Sequence, residues 1–294
     1  MAKRQRERGL FAQRIGEASD RKILKLALRL TRRHLAEHVH KFSPRKFTRL
    51  QLFAFLILKA HVRCIYRKCE ELLMLMRAVR EAIGLSEVPR FTTLQTSADR
   101  PEILALINRV LASISRAVCN AHPKDAGADG TGLEVTSAST NFVSGAGRRR
   151  TKFVKAILGV LCAGVLPVSL VVDWGPSLDM KQAWVLREKI RATCRPTMLW
   201  GDGAFDSEEW HRANWEYWGV PGYVPTTVKS ADGRVSGLFR NTLQVPVKEH
   251  GRRWIHESVN SGIKRTSGST LRRLKQITLF SEGTLKVVAY AIKV

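Results

Sequence analysis

The sequence predicts an α/β protein, a mixed sheet with flanking helices, preceded by an all-helical region. Three observations carry this. Apolar residues recur at helical spacing through the first 120 residues, broken only by cap and turn residues. Beyond His122-Pro123-Lys124 the pattern changes to short Val-, Ile- and Leu-rich runs alternating with amphipathic helical segments, as a sheet covered by helices requires. Over the 294 residues, 44% are hydrophobic and 26% charged, enough apolar material for a sizeable core. The expected division is residues 1–122, a helical region, and residues 123–294, the sheet-bearing domain.

In the first region, Ile23, Leu24, Leu26, Leu28, Leu30 and Leu35 mark a helix from Arg21 to His40, which Ser43-Pro44 breaks. Thr48 is placed to cap a second helix through LQLFAFLILKAHVR. A third runs from Lys68 to Ile83 and ends at Gly84, the residue type that most easily takes a left-handed terminus. Thr92 or Thr93 is placed to cap a short helix, and Pro101 opens the helix EILALINRVLASISRAV.

In the second region, Asp129 to Thr136 reads as an extended segment and Ser139 to Arg150 as a Gly/Ser/Arg-rich connection. Ala156 to Val172 is apolar except for Ser169 and barely long enough to span a bilayer, but Gly164 and Pro167 interrupt it. It reads as two buried strands around a turn at Ala163-Gly164. Leu178 to Arg191 is an amphipathic helix, and Thr197 to Gly201 a short buried strand ending at Asp202. Asp206 or Ser207 caps a helix through Trp218, Gly222-Tyr-Val-Pro is a further strand, and a helix covers about Lys248 to Arg265.

Charge narrows the partner. Fifty Lys and Arg oppose 25 Asp and Glu, a formal +25, which suits a polyanion partner. The excess is shared, with residues 1–120 carrying 25 Lys/Arg against 10 Asp/Glu, so two basic folded parts are expected rather than one basic tail. The five cysteines are irregularly spaced and include no CxxC, which favours neither a disulfide framework nor a zinc site and fits a cytoplasmic protein. No membrane association is expected.

Three carboxylates stand out by position. Asp129 lies on the first strand, Asp202 closes a strand at the carboxyl edge where open α/β sheets place their sites, and Glu257 lies on the last core helix. Oxygen-only donors of this kind suit hard Mg²⁺ or Mn²⁺, and two such ions about 4 Å apart can serve phosphodiester chemistry. Around Glu257 the chain reads His250-Gly-Arg-Arg253-Trp-Ile-His-Glu257-Ser-Val-Asn-Ser-Gly-Ile-Lys264. Arg253 and Glu257 are i and i+4, and Lys264 returns to that face seven residues on. One helix face thus offers a metal-ligand carboxylate between two cations suited to DNA phosphates.

These residues resemble the prokaryotic insertion-sequence transposases of the DDE type, which carry Tyr-x2-Arg-x3-Glu-x6-Lys on the helix of their third acid. Arg253, Glu257 and Lys264 match at those spacings, and His250 stands where the family usually has Tyr. Gly201-Asp202-Gly-Ala-Phe-Asp-Ser207 is similar to the second-acid segment, typically Asp-Lys-Gly-Tyr-Asp-Ser, with Gly203 and Phe205 in place of Lys and Tyr. Ala128-Asp129-Gly-Thr-Gly resembles the first-acid segment. The resemblance covers residues 125–290. Less specifically, Tyr66-Arg67 and the segment Val88 to Leu94 resemble the family's amino-terminal DNA-binding region.

The resemblance implies an RNase H-like catalytic domain over residues 123–294 behind a DNA-binding region over 1–122. It implies metal-dependent cleavage and strand transfer of an insertion sequence, with two Mg²⁺ or Mn²⁺ ions on Asp129, Asp202 and Glu257. It implies double-stranded DNA as partner, both transposon ends and target, engaged by a homodimer. Arg253, Lys264 and the run Arg148-Arg149-Arg150 are the expected DNA contacts. Within the first region, the segment near Thr92 to Ser97 reads as a helix-turn-helix entry. Two alternatives stay open: a DNA-binding protein without catalysis, and an RNase H-like nuclease. Asp179 and one of Trp210, Trp215 and Trp218 are further candidates near the metals and DNA.

Overall fold

A computed structural model describes residues 19–42, 46–119, 125–136, 141–143, 149–177, 179–226, 233–242 and 254–294. The chain forms two compact units, Met1–Val110 with Leu285–Val294 and Leu111–Thr284. The architecture is α/β, with a mixed six-stranded sheet.

The first unit is built from helices. Helix α1 covers residues 19–32 and buries Ile23, Leu24, Ala27, Leu30 and Thr31. It stops short of the expected His40 because the apolar face lapses after Thr31, whose hydroxyl bonds back to the Ala27 carbonyl at 2.6 Å and whose own carbonyl accepts from the His34 and Leu35 amides. Helix α2 (Arg49–His61) starts as expected on Thr48, with a reciprocal capping box to Gln51.

The single helix expected over Lys68 to Ile83 is two, α3 (Tyr66–Leu75) and α4 (Arg77–Glu81), broken at Met76. Arg80 explains the break: its Nη1 donates to the carbonyls of Leu73 and Met74 at 2.6 and 2.5 Å and satisfies the end of α3. Gly84, at φ +67°, then ends the segment, and the Leu85 amide reaches back to the Arg80 carbonyl. Helix α5 (Phe91–Ala98) begins one residue before the expected threonine cap. The Phe91 amide instead donates to the carboxylate of Glu70, from α3, at 2.8 Å. Helix α6 (Glu102–Cys119) follows, tied to α2 by Arg49 and Glu102 at 2.9 Å.

The second unit holds the sheet. Strand β1 (Ala126–Val135) is followed, within the connection expected to be irregular, by a ribbon of β2 (Asn141–Val143) and β3 (Arg149–Thr151). Next come β4 (Phe153–Leu161) and β5 (Leu166–Gly175), joined by a 3-10 turn over Cys162–Gly164, so the apolar run is two buried strands as expected. Helix α7 (Met180–Thr193), β6 (Leu199–Gly201), α8 (Glu208–Trp218) and β7 (Gly222–Tyr223) follow. The rest is α9 (Leu238–Thr242), α10 (Trp254–Ser267), β8 (Thr270–Leu271) and α11 (Gln276–Lys293). No helix among the described residues is long and apolar enough to cross a membrane.

The sheet order is β5-β4-β1-β6-β7, with β8 also pairing β1. Strands β5, β4 and β1 are antiparallel neighbours, whereas β6 and β8 run parallel to β1, and β7 parallel to β6. Side chains alternate across the sheet. On one face, Leu133, Val135 and Val154 pack with Leu271 and with Leu279 of α11. Further along that face, α10 lies so close that a Cβ at Gly127 would fall 1.5 Å from Nε2 of His256. The other face carries α7, whose Ile190 would meet a Cβ at Gly159 at 2.6 Å.

Gly127→Ala is therefore expected to destabilise the chain by about 1–3 kcal/mol, the usual range for overpacking a filled site. Adding His256→Ala should recover part of that loss, because it removes the clashing ring. Urea unfolding of both variants measures this, and a Gly127→Ala protein as stable as the parent would contradict the seat described for α10.

Candidate active site

Asp129 points to the face that carries α10. Its Oδ1 accepts the Gly130 amide at 2.8 Å, and its Oδ2 accepts Nδ2 of Asn260 at 2.6 Å. An ionised carboxylate has about four lone-pair sites, and these two bonds orient it. The contact follows from the seat of α10: His256 covers Gly127, and four residues on, Asn260 covers Asp129 two residues along the strand.

Helix α10 sorts its residues by side. Ile255, His256, Val259, Ile263 and Ser267 are buried, while Glu257, Ser261 and Arg265 are exposed. Asp129, Glu257, Asn260, Ser261, Lys264 and Arg265 line one cavity of about 550 Å³. Two of the three expected acids and the expected Lys264 thus share a groove. Lys264 stands roughly 10 Å along the helix from Glu257, at about 1.5 Å per residue.

Asp202 stands beside them on the neighbouring strand. Strands β1 and β6 pair in parallel register through Ala128 and Gly201, so Asp129 and Asp202 are the next residues of each. Neighbouring strands lie about 4.8 Å apart. The backbone at Asp202 is still extended, at φ −85° and ψ 173°, and Oδ1 accepts the Ala204 amide at 2.9 Å to cap a 3-10 turn over Gly203–Phe205. Asp202 does not line the cavity, and among the described residues no group of three His, Cys, Asp or Glu side chains is close enough to hold a metal ion. What the groove offers a cation is therefore two acids, with a third one strand away. The donors that line it are oxygens, without imidazole or thiol, which suits a hard divalent ion.

The remaining candidates fall elsewhere. Asp179 sits against the opposite face of β1, paired with Lys155 at 2.6 Å, and it would meet a Cβ at Gly130. It is no part of the groove. Trp210 is core, packed on Phe205 and Trp184, and Trp218 stacks on the Arg187 guanidinium. Trp215 is half exposed on α8. Arg148 and Arg253, like His250, lie outside the described residues, and Arg149 and Arg150 are backbone positions of β3.

The loop that follows Asp202 is anchored by an ion pair that composition and spacing did not suggest. Asp206, fully buried, receives Nε and Nη2 of Arg240 at 2.9 and 2.6 Å. Ser207, not Asp206, caps α8, which frees Asp206 for this pair. The Asp206 hydrogen bond holds the Arg240 guanidinium above its usual value. Burial pushes Glu208 up, but the amides of Arg240, Phe239 and Leu238 outweigh it and hold the carboxylate below its usual range. Burial lowers His211, against the pull of Asp206.

Asn260 was legible only as a residue three positions from Glu257, hence on the same face; Arg240 carried no signal, because its partner lies 34 residues back, before α8 and β7. Removing Arg240 takes the bidentate partner from a buried carboxylate. Arg240→Ala should cost about 3–5 kcal/mol in urea unfolding, and Asp206→Ala/Arg240→Ala less than the two single changes combined. A loss under about 1 kcal/mol for Arg240→Ala would contradict the pair's role. No protein-family model matches this chain, and no curated protein matches it.

Proposed function

We propose that the chain is a DNA transposase of the DDE type. In this reading residues 123–294 hold an RNase H-like core, and Asp129, Asp202 and Glu257 supply the ligands for two Mg²⁺ or Mn²⁺ ions. The observation that carries the reading is the shared groove: the first and third acids line it together with Lys264 and Arg265, and the second acid follows the same register pair at the end of the adjacent strand. The chain order also supports it. From β1 to α10 the main sheet and its longer helices run strand, strand, strand, helix, strand, helix, strand, helix, before the short β8 and α11, and that run matches an RNase H-like order.

Divalent ions bound there would activate the attacking oxygen and stabilise the leaving one. The chain's own groups do the rest. Asn260 fixes the rotamer of Asp129, and the 3-10 turn fixes that of Asp202. Lys264 and Arg265 hold DNA phosphates along the groove. The reaction is hydrolysis at the element's end, followed by attack of the freed 3′-hydroxyl on target DNA. Double-stranded DNA, a homodimer on that DNA and a cytoplasmic location belong to the same proposal.

One observation favours a second reading, a DNA-binding protein without catalysis: the second acid, Asp202, does not line the groove with the other two. A strand-transfer assay separates the two. Labelled ends of the flanking element and a plasmid target should yield Mg²⁺-dependent joined product. Asp129→Asn, Asp202→Asn and Glu257→Gln should each abolish it while leaving the melting temperature unchanged within a degree or two. Lys264→Ala should bind DNA with a salt dependence shallower by about one phosphate contact. Binding without any cleavage by the parent chain favours the second reading, and cleavage that survives any acid substitution removes that acid from the mechanism.

A further inference from the structure

Helix α1 is amphipathic in an unusual way. Its apolar side, Ile23, Leu24, Ala27, Leu30 and Thr31, is buried in the first unit. Its other side carries Arg21, Lys22, Lys25, Arg29, Arg32 and Arg33, all exposed. At about 100° per residue these six occupy one stripe centred opposite the buried side. None of the six makes an ion pair with a described acid; Asp20, at the start of the helix, faces His61 at 3.6 Å instead. Six like charges crowd one helix face with nothing in the described chain to offset them.

We infer that this stripe is the surface that grips the phosphate backbone of duplex DNA. The inference rests on the proposal that the chain binds DNA, and it says where. From Arg21 to Arg33 the helix runs roughly 18 Å, at about 1.5 Å per residue. One DNA strand presents a phosphate about every 3.4 Å along its axis, so that length faces roughly five phosphates, close to the number of cations.

Helix α5, where the sequence suggested DNA contact, is built differently. From Phe91 to Ala98 it has no charged residue, and it exposes Thr92, Gln95 and Thr96. Those side chains can read base edges but cannot neutralise phosphates. The neighbouring Arg90 faces Glu70 at 3.5 Å. The stripe therefore supplies affinity and salt dependence, and α5 is left for sequence. An anionic membrane is the poorer fit, because the apolar side of α1 is buried in the unit and has nothing to insert.

The test uses the full chain and variants of equal net charge. Lys25→Gln/Arg29→Gln removes two stripe cations, and Arg21→Gln/Arg32→Gln removes two others. Arg191→Gln/Arg195→Gln removes two exposed cations at and just beyond the end of α7, on the sheet face away from the groove. Glutamine keeps helix propensity close to that of the residues replaced. Binding to a labelled random-sequence duplex is followed by anisotropy across a salt titration. Each stripe variant should lose about two units of the log–log salt slope, about 0.9 per contact, while the α7 variant keeps the parent slope and all melt together. A stripe variant that keeps the parent slope overturns the stripe and leaves DNA binding standing. A parent chain that ignores the duplex at low salt overturns both. Loss of binding to phosphatidylserine vesicles by the stripe variants, with DNA binding intact, assigns the stripe to a lipid surface and overturns the proposal.

Discussion

The seat of α10 on β1 is the constraint on which the site depends. A helix normally stands off a sheet by the thickness of the side chains between them. At Gly127 there is no side chain on the sheet, and the His256 ring occupies the space a Cβ would take. That contact fixes the height and the rotation of the helix together. With His256 over Gly127, Asn260 must lie over Asp129, one helical turn matching two strand residues. Glu257 then turns outward beside them. The geometry of the groove is thus a consequence of packing, set by buried residues that take no part in chemistry.

The two faces of β1 carry different electrostatics. On the face away from α10, Asp179 is paired with Lys155, whose Nζ also donates to the Ser177 carbonyl at 2.6 Å. That acid is neutralised and its geometry closed. On the α10 face, Asp129 accepts two neutral donors, the Gly130 amide and the Asn260 side chain. The cations in the groove, Lys264 and Arg265, sit further along the helix. Charge at the site is therefore graded along α10 from the acids toward the cations. The pair of Asp206 and Arg240 follows a third logic, a buried bidentate bond that ties α9 to the loop after Asp202.

Much of this was legible in the residues. The strand ending at Asp202, the two strands inside the apolar run, and the register of Glu257 with Lys264 all follow from periodicity, and the structure has them. What periodicity missed depends on contacts between distant residues. Arg80 splits one expected helix by taking the carbonyls of Leu73 and Met74, and Glu70 moves the start of α5 by offering its carboxylate to Phe91. Asp179, a candidate near the metals, lies instead on the other face of β1, paired with Lys155. Asn260 is an unremarkable residue in sequence and becomes a partner of Asp129 only once Gly127 lets the helix down.

The central claim is that Asp129, Asp202 and Glu257 form one two-ion centre. Anomalous diffraction from crystals of the full chain grown with Mn²⁺ and an end-sequence duplex tests it most directly. The account predicts two manganese peaks about 4 Å apart, with the carboxylates of all three acids at about 2.1–2.2 Å. Manganese bound elsewhere, or a groove with DNA in place but Asp202 still turned to the Ala204 amide and bound to no ion, would contradict it.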